Sequence, residues 1–360
     1  MVLCGSHGRI KDLELSSNPD SRGMIVLDSV DEHHLRLAPL ISPSHRIGVV
    51  IPAYKAKAQI LSVLEAIGDE VHSIYVVDDN CPQETGRFVE REANDGRVHV
   101  IYHTTNRGVG GAVVTGMKAA LRDGMEIVVK VDGDGQMDPA LIPHFVQPIV
   151  DGIADFTKGN RFFDPDAVRA MPGARLFGNA ALSFLTKLSS GYWNLFDPTN
   201  GYIAWDCRLL SVLPLDKIAP RFFFESDLLF RVNLFRAKGI DIPMTAIYGD
   251  EKSNLRPSDI VGPFLLGNLR NLAKRICYNY FLRDFNVASL ELIFGLALSL
   301  FGLIYGIVYW GVDTPATAGR VMIAALPLLT GIVLLLGFVN FDIQQIPREP
   351  ISQRLNWRLR

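Results

Sequence analysis

Five short strand-like runs recur along the first half of the chain: Ile47–Ile51, Ile74–Val77, Val98–Tyr102, Ile127–Val131 and Asp155–Lys158. Their starts lie about 24 to 29 residues apart, and the stretches between them, such as Gly110–Leu121 and Pro139–Val150, read as helices. Strand-helix alternation at this spacing predicts an α/β domain around a mostly parallel sheet. In such sheets a ligand sits beyond the carboxyl ends of the strands. Each run stops at a polar cluster: Pro52-Ala53-Tyr54, Asp78-Asp79-Asn80, Asn106-Arg107-Gly108, Asp132-Gly133-Asp134 and Gly159-Asn160-Arg161. One polar end would mean little, but five in register point to a single shared site.

The fourth end is the most informative. In Val128–Pro139 (VVKVDGDGQMDP) an apolar run gives way to three aspartates spaced by two glycines. Asp132 and Asp134 on one glycine-spaced loop repel each other unless a cation joins them. Hard divalent ions take oxygen ligands, often one or two carboxylates completed by substrate phosphates. An acidic turn of the common Asp-Gly type is the simpler alternative. Asp78 and Asp79 end the second run, where a carboxylate can accept from ribose hydroxyls or a base. Gly108, Gly110 and Gly111 resemble a dinucleotide loop but follow the third strand and break the GxGxxG order. They read as allowing close helix-strand packing.

Hydrophobic residues make up 48% of the chain, and the excess sits in two blocks. Val287–Trp310 holds one charge, Glu291, and Val321–Phe341 holds none. Each exceeds the roughly 20 residues that span a hydrocarbon core. The short link Gly311–Arg320 closes a hairpin, so both ends face one side. Arg270, Lys274, Arg275 and Arg283 precede the hairpin, and Arg348, Arg354, Arg358 and Arg360 follow it. The positive-inside rule then predicts both termini in the cytoplasm. Pro263–Arg283 mixes apolar residues with cations and reads as an amphipathic helix at the membrane surface. Residues 1–45 lack the apolar core of a signal peptide and read as a polar tail. Cys4, Cys81, Cys207 and Cys277 form no CxxC pair, which fits reduced thiols rather than a zinc site. A net charge of -2 offers no general attraction for nucleic acid.

Taken in order, VVIPAYKAKAQI, VVDDN, NRGVGGAVVTGMKAA and VDGDGQMDP resemble family 2 glycosyltransferases of the GT-A fold. The nearer resemblance is to polyprenyl-phosphate glycosyltransferases, the dolichol-phosphate mannose synthase and bacterial GtrB-like group. It implies a GT-A (Rossmann-like) cytosolic domain followed by a two-helix transmembrane hairpin. It also implies that Pro52, Ala53 and Tyr54 border the nucleotide base, that Asp78 and Asp79 contact base or ribose, and that Asp132 and Asp134 hold Mg2+ or Mn2+ on the sugar-nucleotide diphosphate. Gly133 and Gln136 then lie beside the sugar nucleotide. Arg161, Arg175 and Asn179 match positions for the lipid phosphate, with Asn replacing the family's Ser. Asp197 matches an acidic position in the acceptor region. The chain departs from the family at Lys55-Ala56, where Asn-Glu is usual, and at Ile203, where Arg is usual. In the late loop Lys252 or Arg256 takes the place of an expected arginine.

The expected organisation is a tail at 1–45, the transferase domain at 46–255, a juxtamembrane amphipathic region at 256–285, the hairpin at 286–341 and a basic cytoplasmic tail at 342–360. The expected function is inverting transfer of a sugar from a UDP- or GDP-linked donor to polyprenyl (undecaprenyl-type) phosphate at the inner (plasma) membrane, for cell-envelope glycan, O-antigen modification or glycosylation of protein or lipid. Asp132, Asp134, Gln136 and Asp197 are the candidate catalytic residues. A homo-oligomer is compatible with this reading. The alternatives are another family 2 transferase for polysaccharide synthesis and a non-catalytic membrane-tethered nucleotide-sugar scaffold.

Overall fold

The computed structural model describes residues 45–163, 173–245, 257–310 and 317–358. The expected tail, Lys252, Arg256 and most of the hairpin link therefore lie outside the described residues. The strands are β1 Ile47–Ala53, β2 Ser73–Asp78, β3 Val98–Tyr102, β4 Ile127–Lys130, β5 Phe156–Asn160, β6 Ile203–Asp206 and β7 Gly239–Pro243. The helices are α1 Ile60–Glu65, α2 Thr85–Glu92, α3 Val109–Arg122, α4 Ile142–Val150, α5 Gly173–Ser190, α6 Cys207–Val212, α7 Phe224–Leu234, α8 Pro257–Ile276, α9 Val287–Trp310 and α10 Ala318–Gln344.

The strands form one sheet in the order β3-β2-β1-β4-β6-β5-β7. β6 runs antiparallel to β4 and β5, and the other pairs are parallel. The central strands β1, β2 and β4 are buried and mostly apolar because both of their faces are covered. Alternate residues of β1 and β4 separate cleanly. Ile47, Val49, Ile51 and Ala53 join Ile127, Val129 and Val131 in a layer with Ile60, Ile142 and Phe145. Val50 and Val128 face the opposite layer, with Val113, Met117 and Phe224. Sequence connections leave β1 in opposite directions, so the topological switch lies between β1 and β4, and the crevice beyond their carboxyl ends is the natural ligand site.

β6, like β7, lies beyond the five strand-like runs of the sequence. Ile203 pairs with Lys130 on one side and Lys158 on the other. Because β6 is antiparallel, the residues just before it lie beside the carboxyl ends of β4 and β5. Tyr202 and Trp205 are core residues, with Tyr202 stacked on Phe145 at 4.0 Å between ring centroids.

α9 and α10 are long and apolar enough to cross a membrane. They pack antiparallel, as the close approaches of Gly295 to Leu335 and Gly302 to Leu328 require. Two further helices show an unusual polarity. α8 turns Asn268, Asn271 and Arg275 inward, where they are buried, while Leu265, Leu266 and Leu269 face out, Leu266 being 70% exposed. The buried stripe of a helix in a water-soluble domain is normally apolar. Here Asn268 accepts from the Ser189 hydroxyl at 2.5 Å and Asn271 donates to Asp227 at 3.0 Å. α5 does the same: Thr186, Ser189 and Ser190 are buried, and Phe177 is 78% exposed.

The base of α10 is tied to the domain by one buried carboxylate. Asp342 accepts from Arg275 at 2.6 and 2.9 Å, from the Tyr280 hydroxyl at 2.6 Å and from Trp193 Nε1 at 3.0 Å. The segment after α10 returns to the sheet, where buried Asp155 accepts from the backbone N–H of Ile351 at 2.9 Å and Ser352 at 2.7 Å. Asp342→Ala strands the Arg275 guanidinium without its partner, a loss of about 3–5 kcal/mol for a broken buried pair. The thermal unfolding midpoint in detergent falls accordingly, with a smaller fall for Asp342→Asn. An unchanged midpoint in Asp342→Ala contradicts this role.

Candidate active site

Lys130 is the last residue of β4 and shares the face of Val128, so its side chain enters the layer of Phe224 rather than solvent. It is 1% exposed. A buried ammonium needs a partner, and Asp132 supplies it at 2.7 Å. Gly133 lies against Ile51, Ala56 and Ile60, where an added Cβ would come within 2.8 Å of Ile60 Cδ1. Gly135 turns the chain with φ +76, and Asp134 accepts from the Gln136 N–H at 3.0 Å. This packing fixes the acidic loop at the switch between β1 and β4.

The residues ahead of β6 close the other side. A Cβ on Gly201 would lie 3.1 Å from Asp132 Oδ2 and would also strike Lys130 Nζ. Lys158, fully buried in β5, donates to the Asn200 carbonyl. Asp197, also fully buried, forms a two-pronged pair with Arg161, Nε at 2.7 Å and Nη2 at 3.1 Å. Thr199 donates to the same carboxylate at 3.2 Å. Burial dominates the proton affinities around this cluster. It pulls Lys158 down to about 8, against the raising pull of Glu225 and Asp197. It pushes Glu225, in the first turn of α7, up to about 7, against the lowering pull of Lys130 and Lys158. Asp241 at β7 is pushed up to about 6 by burial, against the N–H of Phe196 that it accepts.

At the end of β2 the carboxylates are committed to the loops around them. Asp78 accepts from Cys81 N–H at 2.7 Å and Gly86 N–H at 2.6 Å. Asp79 accepts from the N–H groups of Arg107 and Gly108, each at 2.7 Å, and from His103 Nδ1 at 2.7 Å. His103 Nε2 in turn meets the Thr115 hydroxyl at 2.8 Å. Pro52 and Ala53 end β1, and Tyr54 beyond them is exposed.

Residues 48–215 match the family model for glycosyl transferase family 2. A UDP-N-acetylglucosamine--dolichyl-phosphate N-acetylglucosaminyltransferase of Methanococcus voltae is 31% identical over 216 residues, covering 56% of this chain and 86% of that protein. The chain belongs to glycosyl transferase family 2. An undecaprenyl-phosphate mannosyltransferase of Micrococcus luteus is 29% identical over 221 residues, 60% of this chain and 90% of the relative. Among solved structures, glucosyl-3-phosphoglycerate synthase from Mycobacterium tuberculosis aligns with 64% of this chain and 80% of its own at 22% identity, with a TM-score of 0.47. Family membership, together with the mostly parallel seven-stranded sheet, makes the protein a glycosyltransferase of the GT-A fold.

In this glycosyltransferase the fold brings Asp132, Gly133, Asp134 and Gln136 into one loop at the switch point, and it joins Arg161 to Asp197 as an ion pair. Asn179 lies on α5, partly exposed. Arg175 belongs to the first turn of α5, but its side chain, like Lys252, lies outside the described residues. The glycines after Asn106 have a different neighbour from the expected one. Gly108 and Gly110 abut Ala219, Pro220 and Phe224, so they admit the loop before α7; the helix-strand approach falls at Gly116, against Val50. Lys130, Lys158 and Glu225 went unnoticed in the sequence. The available signal was a lysine inside each of two strands that are otherwise buried, since unpaired buried lysine is rare.

Asp197 holds the Arg161 guanidinium in a two-pronged ion pair. Asp197→Asn frees that guanidinium and lowers kcat/KM of sugar transfer by about ten- to a hundredfold, the worth of one charge-assisted hydrogen bond, with the shape of the pH-rate profile unchanged. Loss of the acidic limb of the profile would assign Asp197 to proton transfer instead.

Proposed function

We propose that this glycosyltransferase moves a sugar from a nucleotide sugar to a polyprenyl phosphate lying in the same bilayer that holds its hairpin. The carrying observation is the inverted polarity of α5 and α8. Leu176, Phe177 and Phe184 on α5 and Leu265, Leu266 and Leu269 on α8 face outward, with Arg270 and Lys274 exposed among them on α8. Helices of this kind rest in the interface, apolar groups toward acyl chains and cations toward headgroups. The M. voltae and M. luteus relatives are named for dolichyl phosphate and undecaprenyl phosphate. Their sugars differ, so the lipid phosphate is what they share.

In this reading the acceptor oxygen bonds to the anomeric carbon as the bond to the nucleotide diphosphate breaks, with inversion. The second ionisation of a phosphate lies near pKa ~6, so no strong base has to remove a proton. This agrees with a cluster that pairs its carboxylates with cations. Asp132 and Asp134 fit Mg2+ or Mn2+: they are hard oxygen donors on one partly exposed loop, and a diphosphate and water can complete the shell. When bound, the ion neutralises the leaving diphosphate. Lys130 holds Asp132 from the core side. Arg161, aimed by Asp197, receives the acceptor phosphate with Arg175 and Asn179 from α5. Pro52, Ala53 and Tyr54 border the base, Asp79 shapes that wall through Arg107 and Gly108, and Lys252 serves the diphosphate. The domain division is proposed as stated above, with the catalytic domain and both termini cytoplasmic at the plasma membrane.

The test is a panel of UDP- and GDP-sugars offered to purified protein with undecaprenyl phosphate and Mg2+, read as glycolipid by mass spectrometry. One donor yields a polyprenyl-phosphate sugar. EDTA abolishes the product, and Asp134→Asn lowers turnover by at least about a hundredfold, or about 2.7 kcal/mol of barrier. Full turnover in EDTA contradicts the metal role. Donor consumption that ignores the lipid phosphate contradicts the acceptor.

A further inference from the structure

Where the hairpin meets the catalytic domain there is a second polar cavity, of about 190 Å³. That is room for several waters at about 30 Å³ each. Its walls include Arg236, Arg275, Arg283, Tyr280, Asp284 and Asp342, and it shares no residue with the strand-end site. Three arginines face two aspartates, and one of these, Asp342, is already saturated by Arg275, Tyr280 and Trp193.

The cations are left in excess. Arg236 donates to the neutral amide of Gln345 at 3.2 Å. Arg283 donates to the Leu234 carbonyl and to Asn279 at 3.3 Å. Asp284 accepts from Asn286 at 3.0 Å. Neither Arg236 nor Arg283 forms an ion pair among the described residues. Arg275 is 3% exposed, and its Nε lacks a hydrogen-bond partner. Burial and then the Arg283 charge pull the proton affinity of Arg236 down, against the raising pull of Tyr280 and Asp342.

The backbone adds a second argument. Arg236 follows the end of α7 at φ +60, the left-handed position where helices favour glycine or asparagine. Any side chain there carries a backbone cost that glycine avoids. The neighbouring segment Cys277–Arg283 is a π-helical turn, a form that recurs at functional sites, and it contributes Asn279, Tyr280 and Arg283 to the cavity.

We propose that this cavity binds a phosphate group, supplied by an anionic phospholipid headgroup, through Arg236 and Arg283 with Arg275 behind them. The lipid source rests on the membrane reading above; the anion site does not. An occupied cavity stabilises the joint between α10, the π-turn and α7 independently of turnover.

The test is the thermal unfolding midpoint of the full chain in neutral detergent, titrated with phosphatidylglycerol, with phosphatidylcholine and with inorganic phosphate. Binding to the folded state raises the midpoint. Phosphatidylglycerol raises that of the wild type well above phosphatidylcholine. Arg236→Gly and Arg283→Gln each shift the titration to at least about tenfold higher lipid, the scale of a lost charge-assisted contact. Arg236→Gly suits the backbone, so its lipid-free midpoint stays at or above the wild-type value, separating lost binding from lost folding. Arg320→Gln, at the other end of the hairpin, titrates like the wild type. Protection by inorganic phosphate alone, lost in the same two variants, supports the site and names free phosphate as its source. Equal response to both lipids, or an unchanged response in both arginine variants, overturns the proposal.

Discussion

The antiparallel strand β6, inserted between β4 and β5, is the constraint on which the site depends. A fully parallel sheet would deliver only carboxyl ends to the crevice. β6 enters from that side instead, so the segment before it, Asp197 to Gly201, lies against β4 and β5. Gly201 can sit beside Lys130 and Asp132 because it has no side chain. Asp197 reaches Arg161 from there. The acidic loop and the arginine are therefore held by one hydrogen-bonded ladder, with Lys130 and Lys158 as its paired partners across Ile203. Rigid strand ends hold charged groups more precisely than free loops do, and that precision is what an electrostatically driven displacement needs.

A second constraint ties this cluster to the hairpin. Asp342 collects Arg275 from α8, Tyr280 from the π-turn and Trp193 from the segment leading into β6. The inverted faces of α5 and α8 converge on the same region through Ser189 and Asn268. Buried polar networks are costly when broken, so the hairpin and the domain are held in one orientation. On the proposed reading, that orientation sets the height of the catalytic mouth above the acyl chains.

β1 to β5 were legible as evenly spaced short runs, the central ones apolar because both faces are covered, whereas β7, which pairs in parallel with β5, was not among them. The two long helices were legible from length and lack of charge, and the acidic loop from glycine-spaced carboxylates that follow an apolar run. β6 was not, since Ile203–Asp206 is four residues long and both its partners are distant in the chain. For the same reason Arg161 and Asp197 stood out separately while their pairing stayed hidden across 36 positions. The amphipathic character of α8 was visible, but which face was buried could be settled only by the partners of Asn268, Asn271 and Arg275. The glycines after Asn106 signalled close approach without naming the loop that approaches.

The central claim is that the acceptor is a phosphate presented within the plane of the membrane. Protein and undecaprenyl phosphate can be placed in the same nanodisc, in separate nanodiscs, or combined with a water-soluble phosphate monoester lacking the polyprenyl tail, and transfer from the nucleotide sugar measured in each case. The account predicts transfer when protein and lipid share a bilayer and little in the other two arrangements. Transfer to the soluble monoester at a comparable rate would contradict it.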